Sequence, residues 1–133
     1  MENENKNSLN NGKMNPSEYF IELTKEFPIL KTEIDLEDSD NYHFRMEIFS
    51  NYNIEQIKAK NYKELKRCFD FQESRIEKLN SSLYNALNVS YCESLLLGKC
   101  ANEMTEMFKL MPQKLKKVYM EYEEYYTTLG QVE

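Results

Sequence analysis

Glycine and proline are scarce in this chain, three of each in 133 residues. So few turn formers, with no run of alternating apolar and polar residues, argue against strands and predict a nearly all-helical chain with short connections. Histidine occurs once, at His43, so the usual proton shuttle and metal ligand is almost missing. No Gly-rich phosphate loop, nucleophile elbow, HExxH or CxxC is present. Basic residues are outnumbered 17 to 23, for a net charge of −6. A non-specific nucleic-acid binder needs a basic footprint, so no nucleic acid is expected as partner. The three cysteines, Cys68, Cys92 and Cys100, are an odd number set inside helical patterns. They read as buried thiols of a reducing compartment rather than a disulfide framework. No apolar signal region opens the sequence, and the expected location is cytoplasmic.

What the chain does have is one stretch unlike the rest. Leu79 to Gly98 carries a single charge, Glu93, in a protein that is 30% charged. On a helical wheel Leu83, Leu87, Tyr91 and Leu95 share one face, with Val89, Cys92 and Leu96 on the other side. A helix apolar on two faces is surrounded by neighbours, so residues 82–97 are predicted as a central buried helix. Its asparagines and serines, with Glu93, argue against a membrane span. The fold class is all-α: about six antiparallel helices, in a bundle or a short helical-repeat-like stack around that centre.

Residues 1–13 are polar and low in complexity and are predicted to be a disordered tail. A single domain follows over 14–130. Asn15, Pro16 and Glu18 form a helix start with capping-box spacing, and Phe20, Leu23 and Phe27 form its buried stripe. Residues 33–40, with five carboxylates in eight positions, show no stripe and read as a loop. A helix over 41–60 would bury Phe44, Ile48, Phe49, Tyr52 and Ile57. Asn61 and Glu64 repeat the capping-box spacing, and the next helix would bury Leu65, Cys68, Phe69, Gln72, Ile76 and Leu79. Gly98 would cap the central helix. A short helix over 102–111 and a last one opened by Pro112 and ended by Gly130 complete the chain. The last helix would bury Leu115, Val118 or Tyr119, Tyr122, Tyr126 and Leu129.

Three constellations bear on function. His43 sits four residues before Glu47, but two ligands do not make a zinc site, so no metal and no cofactor is expected. The acidic run fails as an EF-hand, since the sixth and twelfth positions from Asp35 are Asp40 and Met46. Its carboxylates, Glu33, Asp35, Glu37, Asp38 and Asp40, form either a solvated loop or a docking patch for a basic partner. Glu93 either reaches the rim, pairs with Arg45, Arg67 or Arg75, or lines a small polar cleft with His43 and Asn85. The last helix sets Tyr119, Tyr122, Tyr125 and Tyr126 among Glu121, Glu123 and Glu124. More than one face is covered, so some tyrosines must be exposed, and tyrosine favours interfaces. Tyr122, Glu123 and Tyr125 join the acidic run as candidate partner-binding residues.

The residues Phe27-Pro28-Ile29-Leu30, His43-Phe44-Arg45-Met46, Phe69-Asp70-Phe71 and above all Asn85-Ala86-Leu87-Asn88-Val89-Ser90-Tyr91-Cys92-Glu93-Ser94-Leu95 form a pattern. It resembles a family of small bacterial all-helical proteins of unknown function, whose central helix reads Asn-Ala-Ile/Leu-x-Val-Ser-Phe-x-Glu-x-Leu. The likeness covers about residues 20–100. Tyr91 for the usual Phe and the unmatched C-terminal helix are the departures. The resemblance implies a helical fold and a shared role for Asn85, Ser90 and Glu93, with no catalytic assignment. Such proteins resemble the immunity proteins that accompany bacterial toxins. The leading expectation is therefore a non-catalytic, protein-binding immunity protein, one half of a toxin–antitoxin pair. Its acidic, tyrosine-rich surface would meet a toxin domain with a basic surface. The alternatives are a helical scaffold or oligomerisation module without a toxin and, last, an enzyme with a Glu93-centred cleft.

Overall fold

The computed structural model describes residues 13–97 and 106–132. Helix α1, Pro16–Glu26, opens as its sequence requires. The Asn15 side chain accepts from the Glu18 amide at 2.9 Å, and the Glu18 carboxylate accepts from the Asn15 amide at 3.0 Å. Two amide donors without helical acceptors are satisfied at once. Pro28 stops the α-helix, and a 3₁₀ turn, Pro28–Leu30, leads into the short α2, Lys31–Asp35. This corrects the loop reading of 33–40: Glu33 and Asp35 lie on a helix. The stripe is invisible in sequence because a five-residue helix needs only one anchor, and Ile34, fully buried, supplies it.

Helix α3, Tyr42–Lys58, and helix α4, Tyr62–Arg75, are joined by a tight connection. Lys60 turns it with φ of 56°, a left-handed conformation at a helix end. Pairs Met46–Gln72 and Tyr52–Glu64 show the two helices running antiparallel, as a short connector dictates. Of the expected inner face of α3, Ile48, Phe49 and Ile57 are buried and Tyr52 is half-buried, but Phe44 is misplaced. Phe44 is 48% exposed, whereas Met46, Ser50, Asn53 and Ile54 are buried. The Asn61–Glu64 capping box does not form. Asn61 donates to Gln56 instead, and Glu64 is taken by Tyr52 and Arg67. The buried stripe of α4 is as predicted through Gln72, and Phe71 joins it. Ile76 and Leu79 are also buried, but beyond the α-helix, on and just after a 3₁₀ turn over Ile76–Lys78.

The central helix is one rod in three parts: α5 over Ser81–Ala86, a π-helical segment over Leu87–Cys92, and α6 over Glu93–Leu97. Asn80 caps it by accepting from the Leu83 amide. The widened register shows in the Glu93 amide, which donates to the Asn88 carbonyl five residues back. Leu83, Leu87, Tyr91 and Leu95 are fully buried, with Ala86 and Cys92. Its neighbours are α3 and the last helix, α7, over Gln113–Val132. The rod is not enclosed on every side, since Val89 is 39% and Leu97 49% exposed.

The core is dense in rings. Phe49 contacts Phe27, Phe71 and Tyr91 at centroid distances of 5.3, 5.9 and 5.7 Å, geometry that adds to simple burial. Helix α7 docks on α4 and the central helix through Leu115, Val118, Tyr119 and Tyr122. Glu73 caps its start by accepting from the Lys114 and Leu115 amides. Tyr126 and Leu129 are exposed rather than buried, and the helix continues past Gly130. A 3₁₀ turn, Phe108–Leu110, precedes α7. The expectations for residues 1–12, for Gly98 as a cap, for Cys100 and for a helix start at 102 lie outside the described residues. Met14 ties the N-terminal approach to the fold: its amide donates to Lys78, and its carbonyl accepts from Asn80. The protein is all-α, and among the described residues no helix is long and apolar enough to cross a membrane.

Candidate functional site

The polar residues of the central rod decide which neighbours it holds. Ser90 is buried, and its Oγ lies 2.8 Å from Nδ1 of half-buried His43. Tyr91, fully buried, donates to Asn53 Oδ1 at 2.5 Å, while Asn53 Nδ2 donates to the Phe49 carbonyl at 2.6 Å. Two adjacent residues of the π segment thus take partners ten positions apart on α3. Burial drives the Tyr91 hydroxyl well above the usual phenol range, so it stays a neutral donor. A buried hydroxyl with its acceptor in place holds a unique packing, whereas an unpaired one would be costly.

Glu93, half-buried, has no arginine partner among the described residues. It accepts from the Tyr122 hydroxyl at 2.5 Å. Burial first, and the Glu93 carboxylate second, push the Tyr122 phenol above its ordinary range. The bond links α6 to α7, and it removes Tyr122 from the exposed contact surface expected of it; only 7% of the residue is accessible. Glu93 also lines a groove of about 300 Å³ with Glu47, Asn51, Val89, Ser94 and Leu97. Neither His43 nor Asn85 lines it. His43 belongs to Ser90, and Asn85 is exposed on α5. The three-residue cleft is therefore not assembled, and no group of three or more metal-ligating side chains occurs among the described residues.

The two candidate docking surfaces fall on different parts of the fold. Glu33 and Asp35 lie on α2 and Glu37, Asp38 and Asp40 just after it; α2 packs on α1 and α3, whereas α7 packs on α4 and the central rod. Asp35 is paired with Lys31 at 2.9 Å, and Glu37 accepts from Asn41 at 3.0 Å. Glu33, Asp38 and Asp40 are exposed. On α7, Tyr125 is 56% exposed, and Met120, Tyr126 and Leu129 are also open to solvent. Glu121, Glu123 and Glu124 stand between them, exposed. The outer side of α7 borders a groove of about 930 Å³ that includes Lys116, Met120, Glu123 and Thr127. Sequence reasoning missed the Ser90–His43 and Tyr91–Asn53 pairs. Nothing in the spacing could join positions 47 and 38 residues apart; the only signal was polar residues inside an apolar rod.

A family described as a domain of unknown function, DUF7674, matches residues 20–127, and the chain belongs to that family. No curated protein and no solved structure gives a significant match.

Proposed function

We propose that the protein is a non-catalytic binding protein of the cytoplasm. In this reading it is an immunity protein that neutralises a toxin domain by covering a basic surface. The observation that carries this reading is the division of α7. Its first half is anchored in the core through Leu115 to Tyr122, and its second half presents Tyr125, Tyr126 and Leu129 among exposed carboxylates. A helix fixed at one end offers its other end as a rigid platform. Tyrosines give such a platform contact area at low entropic cost. The carboxylates add long-range attraction to a positively charged partner, speeding encounter. The segment carrying Glu33, Asp38 and Asp40 extends the acidic field elsewhere on the molecule. The immunity assignment itself follows the sequence resemblance, and the acidic platform is consistent with it.

The test is co-expression of this chain with the toxic product of a gene adjacent to its own, reading survival and complex formation. Survival that depends on the chain, with a complex that Tyr125→Ala dissociates faster, supports the reading. Glu123→Gln should slow association at low salt and change little at high salt. Growth arrest unrelieved by the chain, with no complex formed, refutes it. A mass that doubles with concentration in the same preparations would instead favour the oligomerisation module.

A further inference from the structure

The chain holds three arginines, and each stacks on a phenylalanine ring. Arg75 lies 3.7 Å from the Phe71 centroid, and its Nε donates to Glu22 at 2.7 Å. Arg67 lies 4.2 Å from the Phe27 centroid and is gripped by both Glu26 and Glu64. Arg45 lies 5.7 Å from the Phe20 centroid, yet no carboxylate of the described residues completes it. Its Nη2 donates to the Glu37 carbonyl at 2.7 Å. Its Nε is shut away from solvent and has no acceptor among the described residues. Native folds rarely leave a buried donor of a charged group unpaired.

Arg45 lines a groove of about 370 Å³ together with Phe20, Ile21, Lys25, Lys31 and Asp35. Asp35, the carboxylate there, is already engaged by Lys31 at 2.9 Å. Three cations facing one carboxylate leave a net positive spot on a chain of net charge −6. Local fields of this kind concentrate anions. Phe20 and the largely exposed Ile21 make part of the wall apolar. The volume lies within the range of small-molecule sites.

We propose that this groove binds a small organic carboxylate, its acid group on Arg45 and its apolar body along Ile21 and Phe20. The carboxylate meets the part of the Arg45 guanidinium that faces the groove and supplies the counter-charge that Glu22 supplies to Arg75. A guanidinium matches a carboxylate as a planar, two-pronged donor, which a lysine cannot imitate. Inorganic phosphate has no apolar body to lie along Ile21 and Phe20, so it forgoes the contact that the chain of an organic carboxylate makes. The site stands apart from α7 and does not depend on the partner reading.

The test is titration of the full, isotopically labelled chain with octanoate and, separately, with inorganic phosphate, followed by NMR. Octanoate should move the Arg45 Nε–H signal and the amides of Ile21 and Lys25 saturably. Arg45→Gln should weaken binding about tenfold or more, the loss expected for a charge-assisted hydrogen bond. Phosphate should bind at least tenfold more weakly. No saturable shift with octanoate, or an unchanged affinity in folded Arg45→Gln, overturns the proposal. Phosphate binding as tight as octanoate overturns the carboxylate assignment. Should Arg45→Gln fail to fold, the exposed Lys25→Gln decides: octanoate affinity falls severalfold, and an unchanged value overturns the site.

Discussion

Replacing Tyr91 by phenylalanine removes one oxygen from the centre of the fold. Both Tyr91 and Asn53 are fully buried, and the phenol is the donor to Asn53 Oδ1. Tyr91→Phe leaves that amide oxygen without a partner, and a stranded buried acceptor costs about 1–3 kcal/mol. Asn53→Leu strands the phenol instead and should cost a similar amount. The double variant removes donor and acceptor together and presents two apolar surfaces, a change that is close to neutral when shape is kept. The expected coupling is therefore about 1–3 kcal/mol, with the double variant more stable than the sum of the singles requires. Each single should lower the melting temperature by about 3–10 °C for a chain of this length. Urea unfolding followed by circular dichroism gives the same quantities, and an unchanged slope excludes an effect on the denatured state. Strict additivity would refute the reasoning: it would mean the two side chains do not meet in solution and the π segment is wrongly placed.

Leu87 is fully buried, so Leu87→Ala should cost about 2–5 kcal/mol, while Glu55→Ala on the exposed side of α3 should cost almost nothing; equal melting temperatures would displace the central rod. Tyr122→Phe deletes the donor to Glu93 and should cost about 1 kcal/mol; Glu93→Gln keeps an acceptor and should cost less, and the reverse order would show that the carboxylate's charge has another partner. The Arg67 hydrogen bond, with a lesser one from Tyr52, holds the Glu64 carboxyl below its ordinary range. The unfolded chain therefore takes up that proton first, and stability from Glu64 is present above pH of about 4.3 and lost as pH falls through the folded value. The stability gap between wild type and Glu64→Gln should shrink as pH drops below about 4, and a gap constant with pH would sink this. Burial pushes the Cys92 thiol up to about 12 and raises Cys68 as well; thiolate is the reactive form, so neither should be alkylated at pH 8 in the native state when modified peptides are mapped by mass spectrometry.

How far the sequence could be read depended on which structure each residue type signals. The start of α1 was legible to the residue, because Asn15, Pro16 and Glu18 act locally and need no tertiary partner. The same spacing at Asn61 and Glu64 failed because other partners outbid it: Tyr52 of α3, and Arg67 one turn further along α4, claim the Glu64 carboxylate. Helix α2 was missed since one buried isoleucine makes no periodic pattern. Phe44 was assigned inward as one member of an apolar stripe, yet the core took Asn53 on the same helix, where Tyr91 of the π segment opposite meets it, and Ser50, whose hydroxyl donates back to the Glu47 carbonyl. The buried leucines of the central rod were found correctly, since a doubly apolar helix has no other stable place.

The π segment explains why Asn85, Ser90 and Glu93 do not converge on one site. On an ideal wheel Asn85, Ser90 and Glu93 are read against fixed 100° steps. The widened register over Leu87–Cys92 shifts every later residue around the axis relative to every earlier one. Asn85, before the shift, is left in solvent; Ser90, within it, meets His43; Glu93, after it, meets Tyr122 on α7. One local change of pitch thus lets a short stretch grip two neighbouring helices, α3 on one side and α7 on the other. On the α7 side the Glu93–Tyr122 bond adds to the burial of Leu115, Val118 and Tyr119 and to the Glu73 cap in anchoring the first half of the helix. Glu93 thus acts on the proposed platform from beneath, by positioning, while the contact chemistry belongs to exposed side chains further along α7. A variant such as Ser90→Ala should then loosen α7 only if the rod itself shifts, whereas Tyr122→Phe should do so directly. Hydrogen exchange of the α7 amides, faster in Tyr122→Phe than in Ser90→Ala at matched global stability, is the expected order; the opposite order would place the support for α7 elsewhere.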